Sequence, residues 1–379
     1  MGELRETLGY ILVVNTAVGS GYFATPWAYS RGGWLISLLF QVVFIALGYV
    51  LALQVLEILP KARVLYYLES AGKPQLKLSL FRLLFPKSAS QLNLDNIETI
   101  CKGKEIDMVQ LVRLLLGELW CVVYLIALTV YLEGCLITYV NELGRAASGH
   151  WNLSNNEDNV VYRVAVALYL ALAVYYCHIR LQKQMVMQTF MSIARLGLVV
   201  FTLFLSLTAL FLGEQTYTTP VTSNTKHLSQ CISVLTLAGI YQIELPTLLR
   251  CIYPMHSLRR NMLFNVSITL LVAYSLTGVL AGTTYQYNGE DSIGGIRDLK
   301  AHHLQHGLVR VFEFFTGVLP ALIIVSIIPI HLNAMSDNLL AFLYGPNHYD
   351  RSFPYMRTSV RLLCLFCPFA YCLSSTRLV

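Results

Sequence analysis

Chemistry in this chain has to come from a few polar residues set among apolar ones. The stretch that stands out runs from Asn15 to Gly33, N-T-A-V-G-S-G-Y-F-A-T-P-W-A-Y-S-R-G-G. It lies in the first apolar segment, where Gly19, Gly21 and Pro26 interrupt what would otherwise be one helix. Glycine weakens a helix, and proline removes a backbone donor and clashes with the turn before it. In lipid, unpaired backbone groups are tolerated only where protein or a water-filled cavity covers them. Many secondary transporters build their substrate site from such broken helices near the midplane. A small-residue packing face against a neighbouring helix is the alternative.

Five charges fall within apolar segments: Glu118, Glu133, Arg195, Glu244 and Glu313. Charges in lipid are costly and mark pathways, pairs or proton relays. Glu118 and Glu313 lie near segment ends, where a side chain reaches water. Glu133 and Glu244 are the relay candidates, and Arg195 is expected to pair with a carboxylate. His302 and His306 stand four apart, a spacing that suits zinc on a helix, but a solvated polar loop explains them more simply. Cys364 and Cys367 form C-x-x-C inside an apolar helix with no second pair, so packing accounts for them. No cofactor or metal is implied. A membrane enzyme would need paired aspartates or H-E-x-x-H, and a channel a repeated filter or charge ring; neither pattern occurs in the sequence.

The elements that must position these residues are membrane helices. Apolar residues make up 56% of the 379 and charged residues 13%, with mean hydropathy +0.58. Soluble domains carry about 25% charged residues. Windows of spanning length fall near 8–30, 34–59, 109–143, 160–178, 186–212, 229–252, 262–287, 307–333 and 359–376. One all-α membrane domain with about nine helices is expected. No cleavable signal is expected either, because Glu3 and Glu6 flank Arg5 where a basic start is needed.

With the N-terminus in the cytoplasm, inner segments hold 18 Lys and Arg residues and outer segments 7. That asymmetry sets the expected orientation. It also explains the net charge of +6 through anionic lipid, with no nucleic-acid partner. Residues 60–108 then form a long cytoplasmic loop, and 144–159 and 288–306 form outer loops. Asn152-Leu153-Ser154 is a glycosylation sequon on the outer side.

The sixth segment repeats the peculiarity of the first. From Leu235 to Pro246 it reads L-T-L-A-G-I-Y-Q-I-E-L-P, with Gly239 as the weak point and Pro246 closing the run. Gly/Pro interruptions at corresponding positions of two halves point to a transporter site.

These motifs resemble those of the amino acid/auxin permease family, which includes the sodium-coupled neutral amino acid transporters. The family's first helix reads N-x-x-x-G-x-G-(I/L)-L-x-x-P-x-A-(F/M)-x-x-x-G, and Asn15, Gly19, Gly21, Pro26, Ala28 and Gly33 stand in register. Leu245-Pro246 with Arg259-Arg260, Gly134 with Tyr139, and Ile328-Pro329-Ile330-His331 with Asn338-Leu339-Leu340 look like later family segments. The resemblance implies a leucine-transporter-type fold of two inverted five-helix repeats. It implies alternating-access transport of amino acids at the plasma membrane or a vacuole-type endomembrane. Amides around Gly19, Ser20 and Gly21 would hold a substrate carboxylate. Carbonyls of Leu237, Ala238 and Gly239 would take the α-amino group, and Tyr139, Ile240 and Tyr241 would shape the pocket.

Two departures from the family pattern follow. Sodium-coupled members join the first-helix Asn to hydroxyls on helix eight. Here Asn15 is present, but Pro320 and Leu322 stand at the hydroxyl positions, and the nearest hydroxyls are Thr316 and Ser326. Proton coupling or no coupling is therefore expected rather than sodium. The family also has eleven helices, so the second repeat reads as incomplete. That keeps open a transporter-like amino acid sensor without full transport.

Overall fold

The computed structural model describes residues 10–11, 13–14, 18, 20–70, 107–150, 155–179, 185–211, 227–239, 241, 245, 258–284, 319–344 and 354–374. These residues form ten α-helices and no strand. They are α1 (Ser20–Gly32), α2 (Trp34–Ser70), α3 (Met108–Leu116), α4 (Glu118–His150) and α5 (Asn155–His178), followed by α6 (Met185–Phe211), α7 (Leu228–Gly239), α8 (Leu258–Thr284), α9 (Leu319–Tyr344) and α10 (Pro354–Ser374). Five helices are long and apolar enough to cross a membrane: α2, α4, α6, α8 and α10, each over about twenty residues. Shorter apolar stretches lie in α5 and α7.

Large apolar side chains stand exposed at helical spacing. On α6 they are Val186, Phe190, Ile193, Val200 and Phe204; on α5 Val160, Val164 and Leu168; on α2 Leu39, Val43 and Leu47. Water would not tolerate so continuous an apolar belt, whereas hydrocarbon does.

The helices pack as two groups. In one, α1 and α2 lie against α7 and α8. In the other, α4 and α5 lie against α9 and α10. Between them runs α6, touching α8 on one side and α9 on the other. Each group has its own apolar core. The first gathers Tyr22, Ile45, Ala238, Leu263 and Tyr274, and the second gathers Leu132, Tyr139, Val166, Ile328 and Phe369.

Close approach sets several of these contacts. A Cβ on Gly278 of α8 would lie 2.6 Å from the ring of Tyr29 on α1, and one on Gly144 of α4 would collide with the ring of Tyr162 on α5. Glycines of this kind let helices meet in lipid. Gly134 is different: a Cβ there would meet nothing within 4 Å.

The apolar window 109–143 is not one helix. It breaks at Gly117, whose φ of 92° favours glycine, into α3 and α4. Hydropathy is blind to this because both pieces are apolar. The short α3 is amphipathic and bridges the two groups, packing on α2 through Leu111 and Ala62 and on α9 through Asn338. The Val109 N–H donates to Asn338 Oδ1 at 3.2 Å, and Arg113 donates to the Phe342 carbonyl at 3.3 Å.

Helices also run past the bilayer-length windows. α2 continues to Ser70, inside the expected loop 60–108. α4 and α5 reach into 144–159, leaving only 151–154, with Asn152, outside the described residues. A hydropathy window measures bilayer thickness, whereas good helix formers carry a helix into the interface beyond it. Loop 288–306, with His302 and His306, lies outside the described residues.

Candidate functional site

The first interruption is a short gap. Tyr10, Ile11, Val13 and Val14 are helical, Val18 is a bend, and helix resumes at Ser20. Val18 donates to the Val14 carbonyl at 2.8 Å. Gly21 and Pro26, expected to interrupt the segment, instead lie inside α1. Ser20 and Gly21 form its first turn, where backbone N–H groups have no intrahelical acceptor. Asn15 and Gly19 lie outside the described residues.

The second interruption follows α7, which stops at Gly239. Tyr241 is non-helical and buried, and its hydroxyl bonds Ser267 Oγ of α8 at 2.7 Å. Gly239 lets α7 end tightly on α2: a Cβ there would stand 3.0 Å from the Phe44 carbonyl oxygen. Ile240 and Glu244 lie outside the described residues.

The two interruptions are neighbours. A Cβ on Gly32, at the end of α1, would meet Cys231 Sγ near the start of α7 at 3.0 Å. Val18 and Tyr22, at the other end of α1, share a cluster with Ala238 and Tyr241. The helices are therefore antiparallel, and the start of α1 lies beside the end of α7. A helix start carries unpaired donors and a positive dipole end; a helix end carries unpaired acceptors and a negative one. Side by side, they can take an anion and a cation of one small zwitterion.

Around this junction lies a buried polar cluster. Tyr22 bonds Thr277 of α8 at 3.2 Å, reaches Thr202 of α6, and stacks obliquely on Tyr274 with centroids 5.8 Å apart. Tyr139 of α4 meets His331 of α9 edge to face at 5.3 Å. Leu237 packs against the cluster that holds Tyr139. At the centre stands Arg195 of α6, 3% exposed. Its Nη2 donates to Ser326 Oγ at 3.0 Å, and it lies within electrostatic reach of Tyr139, Tyr274 and His331. Gln188 Nε2 donates to the Ser326 carbonyl at 2.7 Å.

Of the residues expected from sequence, Leu237, Ala238, Gly239 and Tyr241 lie at the end of α7, Leu237 packs against the cluster that holds Tyr139, and Ser326 is joined to Gln188 and Arg195 of α6. Glu133 lies elsewhere on α4, half-buried within the span, and its Oε2 has no hydrogen-bond partner among the described residues. Thr316 lies outside the described residues. The sequence reading missed Gln188, Thr202, Tyr22 and Tyr274. A signal was available: Gln188, Arg195 and Thr202 recur every seven residues, two helical turns, opposite the apolar stripe of α6.

Fold and site together define a helical membrane protein with a polar core at the junction of its two helix groups. No protein-family model, curated protein or solved structure matches the chain.

Proposed function

We propose that this protein is a carrier that moves amino acids across a membrane by alternating access, with proton coupling or none. The observation that carries the reading is the juxtaposed pair of helix interruptions, donors at the start of α1 beside acceptors at the end of α7. That pair suits the carboxylate and ammonium of an amino acid.

The packing supports the same reading. Counting α3 and α4 as one span, each of the first four spans packs on the span five places later: α1 on α7, α2 on α8, α4 on α9 and α5 on α10. Two repeats of five, related by a pseudo-two-fold axis, would pack in this way. Alternating access is then one group rocking against the other, with α6 at the seam. The N-terminus is assigned to the cytoplasm on the basic-residue asymmetry.

The test is thermal stabilisation of the purified full chain in detergent by amino acids. Amino acids should stabilise the parent, and analogues lacking the carboxylate should not. Gly21→Val, which crowds the first turn of α1, should lose the response while remaining folded. Gly134→Val, where a Cβ meets nothing within 4 Å, is the control. Gly33 is unsuited to that role despite lying outside the break, because its φ of 83° disfavours any side chain. Full stabilisation of Gly21→Val, or equal stabilisation by decarboxylated analogues, would place the ligand elsewhere. Binding without uptake in proteoliposomes would make the protein a sensor rather than a carrier.

A further inference from the structure

We propose that α8 is a spacing ruler for the ligand: its Ser267 and Thr277 fix the gap between the start of α1 and the end of α7, and so select amino acids whose ammonium and carboxylate share one carbon. The proposal rests on the carrier reading, whose ligand-holding groups it sets at a fixed distance.

Both rims of the junction hang on one helix. Tyr22 stands in the first turn of α1, two residues after Ser20, and its hydroxyl bonds Thr277 of α8 at 3.2 Å. Tyr241 lies two residues beyond Gly239, where α7 stops, and its hydroxyl bonds Ser267 of α8 at 2.7 Å. All four residues are buried. A phenol is a stiff arm with two side-chain torsions, so each bond carries position from α8 to the backbone of a rim. α8 runs from Leu258 to Thr284 with no proline inside it. Ser267 and Thr277 are ten residues apart, about 15 Å along the axis. A continuous helix pairs its own backbone throughout and keeps that length. α1 and α7 each end at the junction, so the distance between those ends needs an outside tie. Apolar packing is non-directional, whereas a hydroxyl bond weakens steeply as its geometry departs from ideal.

The tie decides which zwitterion fits. Donors at the start of α1 and acceptors at the end of α7 take both charges of a ligand only if those charges are spaced as the rims are. Each methylene inserted between ammonium and carboxylate adds about 1.5 Å of bond. A β-amino acid therefore misaligns one charge with its rim, and a buried charge without partners is costly. A third bond of the same kind gives the comparison. Tyr10, before α1, bonds Thr269 of α8 at 2.9 Å. The Thr269 hydroxyl gives its own proton to the Asn265 carbonyl at 2.8 Å, so Tyr10 is the donor. This bond lies away from both rims.

The experiment reads thermal stabilisation of the purified full chain in detergent by alanine and by leucine, each against its β-homologue. The quantity is the ratio of the two half-saturating concentrations. The parent should favour the α-form by roughly tenfold or more. Thr277→Val and Ser267→Ala each release one rim; valine keeps the shape of Thr277, and Tyr22 retains Thr202 of α6 as a partner. Each should lower the ratio by about fivefold, the weight of one hydroxyl bond. Thr277→Ser keeps a hydroxyl and should restore the ratio. Thr269→Val loses a bond away from the rims and should keep the parent's ratio. A merely structural role would lower the unfolding midpoint in all three bond-deleting variants and leave the ratio unmoved. An unchanged ratio in Thr277→Val and Ser267→Ala overturns the ruler, and so does an equal fall in Thr269→Val. If one rim variant is not recovered folded, the other decides; loss of the fold in both makes the bonds structural and overturns the ruler as well. A parent that neither alanine nor leucine stabilises removes the carrier and the ruler together, whereas a parent that responds while the ratio stays fixed in the variants removes the ruler alone.

Discussion

Removing one hydroxyl tests how the interruption after α7 is held open. Tyr241 lies beyond the end of α7, and its hydroxyl is 2.7 Å from Ser267 Oγ, with both residues buried. A buried hydrogen bond contributes a net ~1 kcal/mol, and orphaning a buried partner costs about 1–3 kcal/mol. The two sides are unequal. In Tyr241→Phe, the Ser267 hydroxyl can turn back to the carbonyl four residues earlier in α8, at Leu263, so the loss should sit near 1 kcal/mol. In Ser267→Ala, the buried phenol loses this bond and cannot turn its hydroxyl about a flexible Cβ as a serine does, and the loss should approach ~2 kcal/mol. The double variant should then cost less than the sum of the two by about 1 kcal/mol. The assay is denaturant unfolding of all four proteins in mixed micelles. A coupling energy within about 0.3 kcal/mol of zero would mean that no bond joins this residue to α8, and the description of the junction would be wrong.

Gly278→Ala should be destabilising by about 1–3 kcal/mol, because the new Cβ would lie 2.6 Å from the fully buried ring of Tyr29; Gly197→Ala, where a Cβ meets nothing, should be neutral or slightly stabilising, and equal midpoints for the two would refute the α1–α8 contact. Asn338→Leu removes the acceptor for the Val109 N–H, so amide exchange in the first turn of α3 should accelerate by roughly fivefold, for about 1 kcal/mol lost; unchanged protection there would show that α9 does not hold α3. Glu133→Gln should leave the protein folded and abolish any dependence of amino-acid uptake on an imposed proton gradient; gradient-driven uptake as strong as the parent's would remove Glu133 from the relay. A single cysteine placed within 71–106 should react with an impermeant maleimide only from the cytoplasmic side, and labelling from outside would reverse the assigned orientation.

The membrane class, the approximate helix positions and the end of α7 at Gly239 were legible in the sequence alone. Hydropathy over about twenty residues reports bilayer length, and glycine acts on the backbone within a turn of itself, so both signals are local. Pro26 shows the limit even there: the residue looked like a breaker, yet α1 carries it inside the helix. The split at Gly117 was hidden because both sides of it are apolar. What only the tertiary structure decided is which polar residues meet. Arg195 was legible as a costly intramembrane charge, but its bond to Ser326 spans 131 residues, and Tyr22 meets Thr277 across 255. An apolar helix in lipid can show any of its faces to hydrocarbon. The side that turns inward is set by the close contacts at Gly278, Gly239 and Gly144 and by the donors that Gln188 and Arg195 deliver to one residue of α9. Those contacts depend on the three-dimensional meeting of distant segments, which no local pattern encodes.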